Sequence, residues 1–500
     1  MRADSRSRPP GSLVFLVGGL SLVAAAGVAL PPQTITKPSM ALLLVVVIVA
    51  AREWLLRWRN LVLLILLVVL LIPMRRYTLP ASLPFQLEPY RVIVAFVAVG
   101  WLASLFIDHR VQLKRTGLEG PLACYGLIAF VSMAVNPGRV AGVESTLVKT
   151  LMFWVSYVVI IYLLPSVLRG LRDVDLVCRV LVAGGAFVAF TAIIESRTHF
   201  NVFNHLSTVM PFLHLGALPL TTSDFSAVSR GWRLRAYASA QHPIALGAAF
   251  MVILPLALYL AKKTGQRRWS GAAALLLVGL FATGSKTAVL MLVGGVLVLL
   301  RLRTREVKKY WPALIPAIVL VHFAVPGTLG AMWESFFPKG GLVAQSADNN
   351  VGSGRIATLG PVLHSEFYPH PIVGEGFGTR LAGDNGPVMS NAPILDDQWL
   401  GVLCETGILG ALAFLWLLVR ATRMLARASR ARPGPDGWLP AALAASIVSY
   451  AVGMLTFDAF SFIQVTFLFV VMLGLTGTLY ANGELSPPAS ATQAGDGGRG

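Results

Sequence analysis

The stretch "HPIALGAAFMVILPLALYLA", residues 242–261, has no formal charge apart from its opening histidine. A helix of this length rises about 30 Å, the thickness of a bilayer's hydrocarbon core. Runs of the same kind recur along the whole chain. Of the 500 residues, 56% are hydrophobic and only 13% are charged, with a mean hydropathy of +0.71; soluble domains carry about a quarter charged residues. This composition excludes a soluble protein with a large core. It predicts an all-α fold, a polytopic membrane helical bundle of about 12–14 transmembrane helices with a large extracytoplasmic loop.

Fourteen spans are read from the apolar runs: 11–31, 39–52, 60–74, 91–107, 121–136, 149–168, 175–194, 242–261, 270–283, 286–301, 310–325, 398–419, 438–456 and 459–481. The small-residue run "VAAAGVA" in the first resembles a signal-peptide cleavage region, but so many later spans favour a signal anchor. The chain therefore divides into N-terminal transmembrane helices (1–194), an outer loop (195–241), further helices (242–325), a large outer loop (326–397) and C-terminal helices (398–481). The tail 482–500 is small and polar, a composition typical of disorder.

With the N-terminus inside, the cytoplasmic segments collect 27 of the 41 Lys and Arg residues. That excess follows the positive-inside rule, so most of the +18 net charge reports orientation in the membrane, with both termini cytoplasmic. The basic residues are scattered over short loops, so nucleic acid is not expected as a partner. Cys124, Cys178 and Cys404 fall far apart in or beside spans, and no CxxC or Cys/His spacing suggests a disulfide framework or a metal site.

Candidate chemistry gathers in the two long outer loops of 47 and 72 residues, because loops of this length usually carry function. The first ends "RGWRLRAYASAQHPIALG", which places Arg235 just before His242 at the mouth of a span. The hairpin "ATGSKTAV" puts Ser285 and Lys286 at the same surface. The second loop carries Arg355 in "GSGR", then "EFYPHPIVGEGFGTR" with His370, Gly374, Gly376 and Arg380, and closes on Asp396 and Asp397 in "LDDQWLGVLCETGILG". Four cations and a carboxylate pair would suit an anionic phosphate leaving group and a hydroxyl nucleophile. Duller readings stand beside these. Outer arginines snorkel to lipid headgroups. Asp396 or Asp397 caps the following helix. His370, between two prolines, is a turn residue bonded to backbone. Gly374, Gly376 and Gly378 serve backbone turns, since no βαβ unit surrounds them. Glu405 lies about two turns inside the span, where a carboxylate is costly unless partnered, and a neighbouring arginine is the expected partner. Asp173-Val174-Asp175 has the DxD spacing of sugar-nucleotide enzymes but sits at a helix start, where capping accounts for it.

The motifs "RAYASAQHPIALG", "TGSKTAVL", "GSGR…PHPIVGEGFG" and "LDDQWLGVLCETGILG", in that order over residues 230–415, resemble the O-antigen ligase and O-antigen polymerase superfamily of bacterial envelope glycosyltransferases. The resemblance implies a glycan donor on a polyprenyl (undecaprenyl) diphosphate carrier, a glycan or lipid acceptor, membrane lipid as the surrounding partner, and no cofactor or metal. It implies that Arg235 and Arg355 hold the diphosphate, that His242 and His370 line the pocket, that Gly374 and Gly376 shape the loop, and that Asp397 borders the acceptor. Ser285-Lys286 stands where that family usually has Ser-Arg, which keeps the charge without the fork. Asp396-Asp397 replaces the His-Asn of lipid A core ligases and is closer to polymerases. A polysaccharide or lipid flippase and a small-anion transporter are the alternatives. The one-sided clustering of the polar residues and the absence of an evident inverted repeat weigh against them.

Overall fold

Leucine, valine and alanine runs satisfy their own backbone bonds as helices, the one open-chain arrangement that hydrocarbon tolerates. In a computed structural model of the protein the described residues are 46, 53, 56–79, 87–210, 212–216, 229–230, 233–337, 359–360, 362–379 and 397–485. The expected span at 11–31, nearly all of that at 39–52, and Arg355, Arg380 and Asp396 fall outside them.

Each of the other twelve expected spans coincides with a helix, most of the ends shifted by only a few residues. These are α1 (Trp58–Leu71), α2 (Pro89–Ile107), α3 (Glu119–Val135), α4 (Glu144–Val167), α5 (Leu171–Thr198), α6 (Pro243–Thr264), α7 (Arg267–Ala282), α8 (Lys286–Lys308), α9 (Leu314–Ala324), α11 (Gln398–Ala431), α12 (Trp438–Gly453) and α13 (Ile463–Ala481), with a short α10 (Thr328–Phe336) after α9. Seven of them, α2, α4, α5, α6, α8, α11 and α13, contain stretches long and apolar enough to cross a membrane. The protein is an all-α, polytopic membrane bundle. The only strands among the described residues are two-residue pairs, such as Tyr77–Thr78 against His214–Leu215.

The structure adds detail to two expectations. The span read at 398–419 runs on to Ala431 and is broken at Gly407, where φ is +64°. The stretch 326–397 is not loop throughout, because α10 and a turn of π-helix at Leu363–Phe367 lie within it.

The bundle is built around α6 and α13, whose most apolar windows are 83% and 94% buried. Both are apolar on every side, which suits a helix surrounded by other helices. Small residues let the neighbours approach, as at Gly279 of α7, whose hydrogen faces Ala189 of α5 and Phe250 of α6. The peripheral α2 is as hydrophobic, yet only 22% of its window is buried. Its outward Phe96, Val99 and Phe106 meet lipid in a bilayer.

The helix ends fall into two groups. At one end lie the C-termini of α1, α3, α5, α7 and α12 and the N-termini of α4, α6, α8, α11 and α13. At the opposite, basic end, Arg303 is buried and donates to the carbonyls of Ser429 (2.6 Å) and Arg432 (2.7 Å), tying α8 to the end of α11. Lys263 pairs with Asp175 at 2.5 Å, and Tyr259 donates to the same carboxylate. Asp173 accepts from the Arg169 amide at 2.9 Å. The DxD-like pair thus serves one helix start and one inter-helix ion pair.

Candidate functional site

The break in α11 decides the geometry of the first end. At Gly407 the helix leaves helical φ/ψ, so the peptide groups on either side lose their partners. The segment 371–376 replaces them. Glu375 N–H donates to Cys404 O (2.9 Å) and Gly376 N–H to Glu405 O (3.3 Å). In return Ile408 N–H donates to Pro371 O (2.9 Å) and Leu409 N–H to Ile372 O (3.2 Å). The approach is backbone to backbone. A Cβ at Gly374 would overlap the Glu405–Thr406 peptide, and one at Gly407 would overlap the Ile372 carbonyl. Gly374, Gly376 and Gly378 all have positive φ, +75°, +122° and +75°, as the turn reading requires.

The end of α3 and the short helix Pro137–Ala141 hold the loop from the other side. Asn136 Nδ2 donates to Gly374 O at 3.0 Å, and Ser132 Oγ donates to Glu405 O at 2.6 Å. Arg139 pairs with the buried Glu375 at 2.7 Å and reaches Thr379 Oγ1 at 3.2 Å. Beneath the loop Phe377 packs edge-on against Tyr125 and Trp154. The arginine at this junction is therefore spent on Glu375, while Glu405 lies buried in the last turn before the break, beside Tyr125. Removing Glu375 by alanine leaves Arg139 half-buried without that carboxylate, and is expected to destabilise the detergent-purified protein by about 1–3 kcal/mol. The Arg139→Ala/Glu375→Ala double variant is expected to be less impaired than the sum of the two singles; strict additivity in thermal unfolding would show that the pair is not coupled.

A second element of the same end is the segment from Arg235 to His242. Arg235 is buried against the α7–α8 hairpin, where its Nε donates to Thr283 O at 2.9 Å and its stem lies beside Gly284. His242 caps α6, its Nδ1 accepting from Ile244 N–H at 3.2 Å, and its ring packs on Phe462. Ser285 caps α8 through Ala288 N–H, and Lys286 opens that helix. Between Arg235 and His242 the chain is pinned at Ala238, whose φ of +39° is unusual for a residue with a Cβ. Two buried charges hold it there. Arg76 donates to Ala238 O (3.0 Å) and Ala240 O (2.6 Å), while Glu195 accepts from Ala238 N–H (2.8 Å) and from Asn201 Nδ2 (3.0 Å). Burial lowers the pKa of the Arg76 guanidinium, and Tyr237 and Glu195 act in the opposite sense. Glu195→Gln turns an amide NH2 or a single carbonyl towards these donors, and is expected to lower stability by about 1–3 kcal/mol; an unchanged melting temperature would remove the network from the account.

The turn "MLTFDAFSF", 454–462, joins these pieces. Thr456 Oγ1 donates to Thr287 Oγ1 at 2.9 Å, Met454 O accepts from Gln398 N–H at 2.8 Å, and Phe460 N–H donates to Gln398 Oε1 at 2.8 Å. Asp397 caps α11, with Oδ1 accepting from Trp399 N–H (2.9 Å) and Leu400 N–H (3.2 Å). The capping reading of Asp397 is therefore observed, and it fixes the carboxylate's direction. His370 holds its turn through backbone, N–H to Phe367 O at 3.1 Å and O from Gly374 N–H at 2.9 Å, with an exposed side chain. Arg235, His242, Ser285, Lys286 and Asp397 thus arrive from three stretches at one end of the bundle. His370, Gly374, Gly376 and Glu405 join that end through the seam in α11.

The sequence reading did not single out Arg76, Arg139, Glu195 or Glu375. A signal existed for two of them. Arg76 follows a span on the side that the charge rule leaves poor in cations, and Arg139 follows the helix-breaking "NPG" of an outer hairpin. No protein-family model matches this chain, and no curated protein is significantly similar to it.

Proposed function

We propose that this protein transfers a glycan from a polyprenyl (undecaprenyl) diphosphate carrier to an acceptor hydroxyl at the extracytoplasmic face of a bacterial inner membrane, as a polysaccharide or O-antigen polymerase or ligase. The observation that supports this reading is that Arg235, Lys286 and Asp397, far apart in sequence, sit on elements joined at one end of the bundle: Arg235 bonds Thr283 beside the start of α8, and Lys286 and Asp397 adjoin Thr287 and Gln398, which bond the 454–462 turn. Arg235 and Lys286 supply positive charge to a diphosphate, and Asp397 supplies a carboxylate of fixed direction for the acceptor. In the reaction the acceptor oxygen bonds to the anomeric carbon as the bond from that carbon to the diphosphate breaks. The proton passes to Asp397, and the electron pair leaves with the diphosphate, whose charge the cations stabilise. A single displacement of this kind inverts the anomeric centre. Arg355, Arg380 and Asp396 belong to the same proposal by sequence alone.

The test is to incubate purified protein with a polyprenyl-diphosphate oligosaccharide and resolve the products. A ladder of chain lengths supports a polymerase, and one conjugate on a second acceptor supports a ligase. Movement of the labelled lipid between leaflets with no new glycosidic bond would overturn the proposal in favour of a flippase.

A further inference from the structure

The basic end of the bundle holds a feature that glycan transfer at the other end does not use. A cavity of about 360 Å³ opens between the last turns of α11 and the end of α13, lined by Arg420, Arg423, Arg427, Trp416 and Tyr480 among others. All three arginines are exposed on α11. Among the described residues, no carboxylate lines the cavity and no ion pair involves Arg423 or Arg427. Arg420 is anchored, its Nε donating to Gly117 O. The Gly117 backbone lies so close to Met424 and Tyr480 that a Cβ there would press on both, so residues around 117 close one side of the groove.

The residues leading into the groove narrow the choice of occupant. Leu409, Leu412 and Trp416 are exposed on α11, and Arg420, Arg423 and Arg427 continue the same stripe at spacings of three and four residues. At 1.5 Å per residue this stripe climbs about 27 Å. It passes from leucine through an interfacial tryptophan to guanidinium, the order in which a bilayer passes from hydrocarbon to headgroup. A soluble phosphate has no use for the leucines, whereas an acyl chain lies along them. Arginine forks match phosphate oxygens, and basic pockets between helices at the cytoplasmic surface suit anionic headgroups.

We propose that this groove binds the phosphate headgroup of an anionic phospholipid in the leaflet at the basic end, with one acyl chain along the Leu409–Trp416 stripe. The choline of a zwitterionic lipid meets like charge there, so selectivity follows from the arginines.

The test uses full-length protein in a zwitterionic detergent, titrated with phosphatidylglycerol or phosphatidylcholine and read by native mass spectrometry. The first phosphatidylglycerol is expected to bind about tenfold more tightly than phosphatidylcholine. Arg423→Gln/Arg427→Gln is expected to abolish that preference. Arg305→Gln/Lys308→Gln removes the same charge from the same end outside the groove, and is expected to keep it. Equal binding of the two lipids by the native protein, or an equal loss in both double variants, overturns the site. Displacement of phosphatidylglycerol by millimolar glycerol phosphate also overturns it, by showing a soluble phosphate site. Retained lipid in the presence of glycerol phosphate supports it.

Discussion

Arg235→Lys is expected to lower the rate of glycan transfer from a polyprenyl diphosphate by about 10²–10³-fold, the range seen when one preorganised donor to a developing charge is removed. Lysine retains the positive charge but not the planar fork. The side chain is buried and oriented by the bond from its Nε to Thr283 O, so its remaining N–H groups have a fixed direction that an ammonium on a flexible stem does not reproduce. The loss should fall mainly on turnover, and the protein should keep its monodisperse elution and melting temperature within a few degrees. Arg235→Ala should be at least as slow. Turnover near the native rate in the lysine variant would falsify the assignment of Arg235 to the diphosphate.

Gly407→Ala is expected to have the largest effect on folding. The residue sits at φ +64°, and an added methyl would overlap the Ile372 carbonyl. The conformational strain contributes about 1–3 kcal/mol and the overlap a further 1–3 kcal/mol, a large fraction of the marginal stability of a folded domain. Low yield and aggregated elution are therefore expected. Gly126→Ala makes the control. It lies within α3, and its added methyl meets nothing within 4 Å, so it should be neutral or slightly stabilising. Equal behaviour of the two variants would show that the seam in α11 does not hold the fold together.

Hydropathy made the depth of each segment legible. Every expected span among the described residues is a helix, because burial of backbone polar groups leaves a lipid-embedded chain no other open form. The cap at Asp397 was legible too, since that residue stands immediately before an apolar run. Azimuth was not. Hydropathy states how deep Arg139 or Glu195 sits, but not which neighbour it faces, and both find partners far away in sequence, at Glu375 and Ala238. Gly407 was hidden for a different reason. "CETGILG" reads as uninterrupted helix, and the backbone that stabilises the break comes from residues 371–376 across a long connection. The site was legible as residue types, but the local partners of those residues were not. Asp397 and His242 do the work of caps, and Glu375, within the stretch that had been valued for its histidine and glycines, pairs with Arg139.

The seam in α11 also bears on how proteins of this plan diversify. The chain entering the 380–396 connection is clamped by the Glu375–Arg139 pair and by its backbone bonds to α11, and the chain leaving it is clamped by the Asp397 cap. Changes of length or sequence between those anchors leave both seats intact, and doubling such a connection adds only about 0.6 kcal/mol of closure entropy. Insertion and deletion between the anchors can therefore vary this connection while the membrane scaffold is inherited unchanged.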